Sequence, residues 1–221
     1  MDRWIKSLSA RNEFVFVLAL AFAWPVLGSL TAVAYPQPPT PIDGAGLASI
    51  LSLEIPVLAV LAVFLSLRGW NLARLGPAPT KTDLPLGLAL AVLTAMLFWL
   101  LQALALAFGL SLPSVDEAVP IASDIGWPMR LAASAVNGFY EEALVCGYLI
   151  TAMRDRRSTW TAIHLSTAIR TAYHLYQGSV GVISIVPMGL LYAWLYARTG
   201  RLWPLVVAHI VLDFWALSLP S

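Results

Sequence analysis

Glu141 and Glu142 stand side by side in one apolar stretch, His174 lies in the next, and His209 and Asp213 stand four residues apart in the last. Acids and imidazoles accept and return protons near neutral pH, so this set could provide a general base and a proton shuttle. Two adjacent carboxylates in a low-dielectric cavity cannot both ionise cheaply unless a cation sits beside them. Two imidazoles nearby supply a proton carrier and a donor for an oxyanion. With an activated water, these groups meet the requirements of amide hydrolysis without a Ser, Thr or Cys nucleophile. Arg170 and His174 are spaced i and i+4, as are His209 and Asp213, so each pair shares a helix face and can point inward together.

The elements that must carry these residues follow from composition. Of 221 residues, 59% are apolar and 11% charged, against roughly 45–50% and about 25% for a soluble domain. These values exclude a soluble globular protein and a disordered one. Thirteen Lys and Arg against twelve Asp and Glu leave a net charge of +1, which provides no basic surface for nucleic acid. The single cysteine, Cys146, cannot form an internal disulfide. At roughly 20 residues per bilayer crossing, apolar stretches at 14–35, 45–67, 84–112, 129–153, 159–176, 180–197 and 202–218 predict an all-α, polytopic transmembrane helical bundle of about seven spans. The whole chain, 1–221, then forms a single membrane domain, with general-purpose spans over 1–112.

Charge orders the spans. Arg3, Lys6 and Arg11, then Arg68, Arg74 and Lys81, then Arg154, Arg156 and Arg157, then Arg198 and Arg201 fall on one side, while Asp43, Asp116, Glu117 and Asp124 occupy loops on the other. The positive-inside rule then predicts a cytoplasmic N-terminus. Trp4, Trp70, Trp160 and Trp203 fall where an interfacial aromatic belt would sit. The amino end imitates a secretory signal, with Ala32-Val33-Ala34 as a cleavage site. Its apolar stretch exceeds the usual h-region, so an uncleaved first span is expected.

A charge at mid-membrane costs at least about 2.5–3.5 kcal/mol, so such a group is expected to face a protein interior or cavity. At about 1.5 Å per residue from the basic ends, Glu141 comes out at roughly 20 Å, Asp213 at roughly 18 Å, His174 at roughly 25 Å and His209 at roughly 12 Å. Helix tilt could bring them to one level, in a polar cavity between spans four, five and seven. Glu54 precedes Pro56 and would either line that cavity or satisfy backbone donors freed at a kink. His164 reads as a packed or interfacial residue, Cys146 as a small buried one, and Arg130 as an interfacial anchor. Tyr173, Tyr176, Gln177 and Gly178 either shape a cleft or end a helix.

The Glu-Glu pair, the histidine on the following segment and the final His-x-x-x-Asp resemble the CAAX protease and bacteriocin-processing (CPBP) family of intramembrane proteases, which includes the type II CAAX prenyl endopeptidases. That family's motifs are EExxxR, FxxxH and HxxxN or HxxxD, and the likeness covers about 129–217 as a catalytic core. It implies that Glu141 and His174 activate water, that Glu142 assists, and that His209 and Asp213 form the oxyanion site. An ionised Asp213 cannot itself donate a hydrogen bond, unlike the asparagine of some relatives, and would instead orient His209 or hold a proton. Two positions depart from the pattern: Cys146 stands where the motif arginine is expected, and Arg170 where the phenylalanine is. Together they suggest a relocated cation, with Arg170 serving the glutamates from span five.

The expected activity is therefore intramembrane endopeptidase cleavage of a membrane-anchored substrate, of CAAX type or at a C-terminal or leader segment. The expected setting is multi-pass in the lipid bilayer of a bacterial cytoplasmic membrane. A metal-free glutamate mechanism is expected. Zinc held by Glu141, His174 and His209 is the alternative, although no HExxH helix exists. A rival of another class is a catalytically silent immunity or scaffold protein binding a peptide in the same cavity. A proton-coupled transporter should instead show pseudo-repeats, which are not evident.

Overall fold

The computed structural model describes residues 5, 7–110, 113, 117, 119–154 and 157–219. Arg3, Trp4, Lys6, Asp116 and Arg156, which belong to the charge and aromatic patterns, lie outside the described residues. Regular structure among the described residues is helical, apart from one isolated parallel bridge between Ile42 and Ile121. In chain order the helices are α1 (Ala10–Ala34), α2 (Gly44–Leu67), the short α3 (Leu72–Leu75), α4 (Asp83–Ala107) and α5 (Trp127–Glu141). A π-helical turn (Glu142–Tyr148) leads into α6 (Leu149–Met153). Then come α7 (Thr159–His174), a 3-10 turn (Leu175–Gln177), α8 (Gly178–Thr199) and α9 (Trp203–Ala216).

Local chemistry sets these boundaries. Ser9, Asp43 and Ser158 cap α1, α2 and α7, each side chain accepting from the backbone N–H three residues on. Pro128 and Pro204 stand in the first turns of α5 and α9, where a missing N–H costs nothing. Four helical stretches, Ala10–Ala34, Gly44–Leu67, Asp83–Ala107 and Thr159–Thr199, are long and apolar enough to cross a membrane, and Trp203–Ala216 is a shorter apolar helix. Their outer faces carry exposed large apolar side chains such as Trp24, Val63, Met96 and Leu106, as expected where lipid is the solvent.

Three features differ from the sequence expectation. The third apolar stretch runs to residue 112, but its helix stops at Ala107, and Gly109 adopts φ 77°. The fifth and sixth stretches are not separated by a loop. They turn back directly through Leu175–Gln177 and Gly178, at φ 63°, so that α7 and α8 pack together. The fourth is not a plain α-helix, because the ladder widens to i→i+5 from Glu142.

Polar clamps tie helix ends together. Buried Glu13 accepts from Arg68 Nε at 2.6 Å and from Trp70 Nε1 at 2.9 Å, while Arg68 also donates to the carbonyls of Ile5 and Leu8. Trp70 is therefore a buried hydrogen-bond donor rather than a member of an interfacial belt. Asp83 and Arg201 pair at 2.7 Å, joining the starts of α4 and α9. At the opposite end, Leu47, Ile121, Ile125 and Ala133 form a small apolar cluster beside the Ile42–Ile121 bridge.

The α4–α9 packing is close enough to require glycine. A Cβ on Gly87 would lie 2.5 Å from Val207 and 2.9 Å from the Pro204 carbonyl. Overpacking of this kind costs about 1–3 kcal/mol. Gly87→Ala is therefore expected to lower the thermal midpoint in detergent and, through α9, to disturb His209. An unchanged midpoint would show that the two helices separate freely.

Candidate active site

The site is assembled from α5, the π turn, α7 and α9. Gly138 allows α5 to approach α9 closely, since a Cβ there would lie 3.1 Å from the Ile210 backbone nitrogen and 3.4 Å from His209 Cβ. One turn later, Glu141 closes α5 and Glu142 opens the π turn, all seven residues of which are buried. Widening the ladder displaces a carbonyl from its usual partner. Ser166 Oγ on α7 donates to the Val145 carbonyl at 2.9 Å, fixing α7 against the turn.

Arg170 is the hub. Its guanidinium is completely buried, and donates from Nη1 to Glu141 Oε2 at 3.2 Å and from Nη2 to Glu142 Oε1 at 2.7 Å. The same Nη2 lies 3.9 Å from Cys146 Sγ. The cation thus occupies space beside residue 146 while entering from a different helix. One delocalised charge shared by both acids removes the repulsion that would otherwise oppose two adjacent buried carboxylates. Arg170 Nε makes no hydrogen bond among the described residues.

The two glutamates are held differently. Glu141 Oε2 also accepts from the Tyr173 hydroxyl at 2.6 Å, and the Tyr173 ring stacks on Phe22 of α1 at 5.3 Å. Its other oxygen, Oε1, faces His174 Nε2 at 4.0 Å. His174 Nδ1 lies 2.9 Å from the Arg170 carbonyl, an obligate acceptor, so Nδ1 carries the proton and the Nε2 lone pair faces Glu141 in the neutral ring. Glu142 is enclosed, with Oε1 shared between Arg170 and His209 Nδ1, the latter at 2.7 Å. His209 Nε2 then faces Asp213 Oδ1 at 3.5 Å and Glu141 Oε2 at 3.9 Å. Asp213 Oδ2 accepts from Asn137 Nδ2 at 2.8 Å.

Glu141, Glu142, Arg170, His174, His209 and Asp213 therefore converge on one pocket, and Cys146 lies at its back as a free, fully buried thiol. Access is graded: the Glu142 and Arg170 side chains are 0% exposed, whereas His174 is 14% and Asp213 28% exposed. The mouth is thus on the His174–Asp213 side. Among the described residues, no group of three His, Cys, Asp or Glu is disposed to hold a metal ion. Glu141 Oε2 is committed to Arg170 and Tyr173, which leaves Oε1 as the open oxygen of this carboxylate.

Other residues of the site are less legible in the sequence. Glu54 on α2, which the sequence allows at either a kink or a cavity wall, is buried beside the pocket, within electrostatic range of Glu141, Asp213 and His209, and its Oε2 makes no hydrogen bond among the described residues. Tyr173 anchors Glu141, where the sequence suggests only a cleft wall or helix end. Asn137 carries no charge to mark it, although it stands one helical turn before Glu141 and so shares its face. His164, by contrast, is exposed and stacks on Trp160 at 5.9 Å, away from the site.

Residues 123–215 match the family model described as type II CAAX prenyl endopeptidase Rce1-like. No curated protein and no solved structure gives a match. The matched segment runs from just before α5 almost to the end of α9 and includes every residue of the pocket except those from α1 and α2.

Proposed function

We propose that this chain, whose residues 123–215 match the model of the Rce1-like type II CAAX prenyl endopeptidases, a protease family, hydrolyses a peptide bond of a membrane-anchored substrate with a water held between Glu141 and His174. The observation that carries the reading is the unequal use of the Glu141 oxygens. Oε2 is fixed by Tyr173 and Arg170, and Oε1 is left facing an imidazole lone pair 4.0 Å away. One water at ordinary hydrogen-bond distance can donate to both groups, which directs its own lone pair out toward the pocket mouth.

In the first step the water oxygen bonds to the scissile carbonyl carbon while Glu141 takes the proton, assisted by His174. The carbonyl oxygen becomes an oxyanion on the His209–Asp213 side. His209, whose Nδ1–H is tied to Glu142, donates from Nε2 when doubly protonated, and Asp213 orients it. In the second step the C–N bond breaks and the proton passes from Glu141 to the leaving nitrogen. Glu142 and Arg170 act as the fixed electrostatic frame. Apolar outer faces and short connections favour a substrate that is itself anchored: a prenylated tail, a lipoprotein, a transmembrane segment or a leader peptide. The same faces suit a multi-pass membrane protein, and the basic residues gathered on one side of the spans suit an N-terminus inside.

The test is reconstitution in lipid vesicles with a panel of such peptides, including a farnesylated one ending in the Cys-aliphatic-aliphatic-X pattern. Wild type is expected to release a defined product, Glu141→Gln to release none, and a chelator to leave the rate unchanged. Peptide binding without cleavage by wild type would instead identify a silent scaffold or immunity protein.

A further inference from the structure

An oxyanion in a dry pocket needs hydrogen-bond donors aimed at it, and each contributes substantially when water is excluded. His209 can supply one. The neighbouring group, Asp213, is a carboxylate and, when ionised, can only accept. The structure gives it a partner that can donate: Asn137 Nδ2, at 2.8 Å from Asp213 Oδ2. A carboxylate acceptor fixes which end of the amide faces it, so the NH2 group rather than the carbonyl points toward Asp213. That NH2 carries two protons. One is used by Asp213, and the second has no partner among the described residues. Asn137 is half-buried, four residues before Glu141 on α5, and it meets the pocket on the more open Asp213 side.

We propose that Asn137 is a further catalytic residue, donating its second amide N–H to the oxyanion, and that Asp213 is the positioning residue that holds this amide in place. The inference rests on the hydrolytic reading above. When the water oxygen bonds to the carbonyl carbon, the π electrons move onto the carbonyl oxygen, and this charge is shared by Asn137 Nδ2–H and His209 Nε2–H. Collapse returns the pair to the C=O bond as the C–N bond breaks, with no proton leaving Asn137. The pairing also explains how an aspartate is accommodated at position 213: the donor that Asp213 cannot be is supplied by the opposite helix.

The test uses the full chain in vesicles with whichever panel peptide wild type cleaves, and measures kcat, KM and thermal midpoint for each variant. Asn137→Ala and Asn137→Asp are expected to lower kcat by about 10²–10³-fold, the usual effect of losing one oxyanion donor, with KM nearly unchanged. Asn137→Asp with Asp213→Asn returns an amide to the pair from the other helix and should recover much of the lost kcat. Affinity for a phosphinate analogue of the tetrahedral intermediate should fall in parallel with kcat for the single variants. If Asn137→Ala instead keeps wild-type kcat while Glu141→Gln is inactive, this inference fails and the hydrolytic reading stands. If Asn137 merely ties α5 to α9, the thermal midpoint falls and analogue affinity changes no more than substrate affinity, which also overturns it. If Glu141→Gln cleaves as well as wild type, the hydrolytic reading fails and takes this inference with it.

Discussion

Glu141→Gln is expected to lower turnover by about 10²–10⁴-fold, the usual range for loss of a general base, while the protein stays folded. The amide keeps the volume of the acid and can still accept from the Tyr173 hydroxyl, so the stacking of Tyr173 on Phe22 need not change. What it loses is the capacity to take a proton at Oε1, the atom that faces His174. Glu142→Gln should behave differently, although the residue is adjacent and chemically identical. Glu142 is fully enclosed, and its Oε1 serves both Arg170 and His209. Its neutralisation should therefore lower stability, with turnover falling through the displacement of His209. Matched turnover and melting measurements on the two variants separate base from frame. Equal effects of both substitutions on kcat, with no change in stability from either, would contradict the division of roles.

The second large effect is expected at Arg170. Removing one partner of a buried ion network leaves uncompensated charge and typically costs about 3–5 kcal/mol. Here one cation serves two carboxylates, so Arg170→Phe strands both Glu141 and Glu142. Folded yield in detergent should fall sharply and proteolysis should be lost. Because Arg170 Nη2 lies 3.9 Å from Cys146 Sγ, Cys146→Arg in the Arg170→Phe background offers the guanidinium a route to the same space from the π turn. Partial recovery of folding and cleavage is expected. Unchanged expression and proteolysis in Arg170→Phe alone would end the idea of a relocated cation.

Much of this site is legible in the order of the amino acids. Glu141, Glu142, His174, His209 and Asp213 stand out in otherwise apolar stretches because lipid penalises them, and i, i+4 spacing correctly pairs His209 with Asp213, which lie 3.5 Å apart. The unusual residues at positions 146 and 170 are visible in the sequence too, and the fold brings Arg170 Nη2 to 3.9 Å from Cys146 Sγ. Other features have no comparable signal. Trp70 has the composition and location of a belt residue, and only the fold reveals that Glu13, 57 residues away in sequence, accepts its N–H. Asn137 is polar but uncharged, so it lacks the large transfer cost that singles out the acids and the arginine. The π turn has no sequence signature here, since all seven of its residues are buried and no one-sided apolar pattern exists there to reveal the shift in register.

The chain alone determined that it is helical, that its helices suit lipid, and which charged groups must avoid it, because these follow from the transfer cost of each residue and the length of each apolar stretch. Tertiary structure decided which glutamate offers a free oxygen, where the shared cation lies, and that Asn137 and Glu54 border the pocket. Helical periodicity specifies which face of its own helix a side chain occupies. Which atoms meet that face depends on the packing of segments far apart in the chain, and the chemistry of two identical, adjacent carboxylates diverges only once those neighbours are in place.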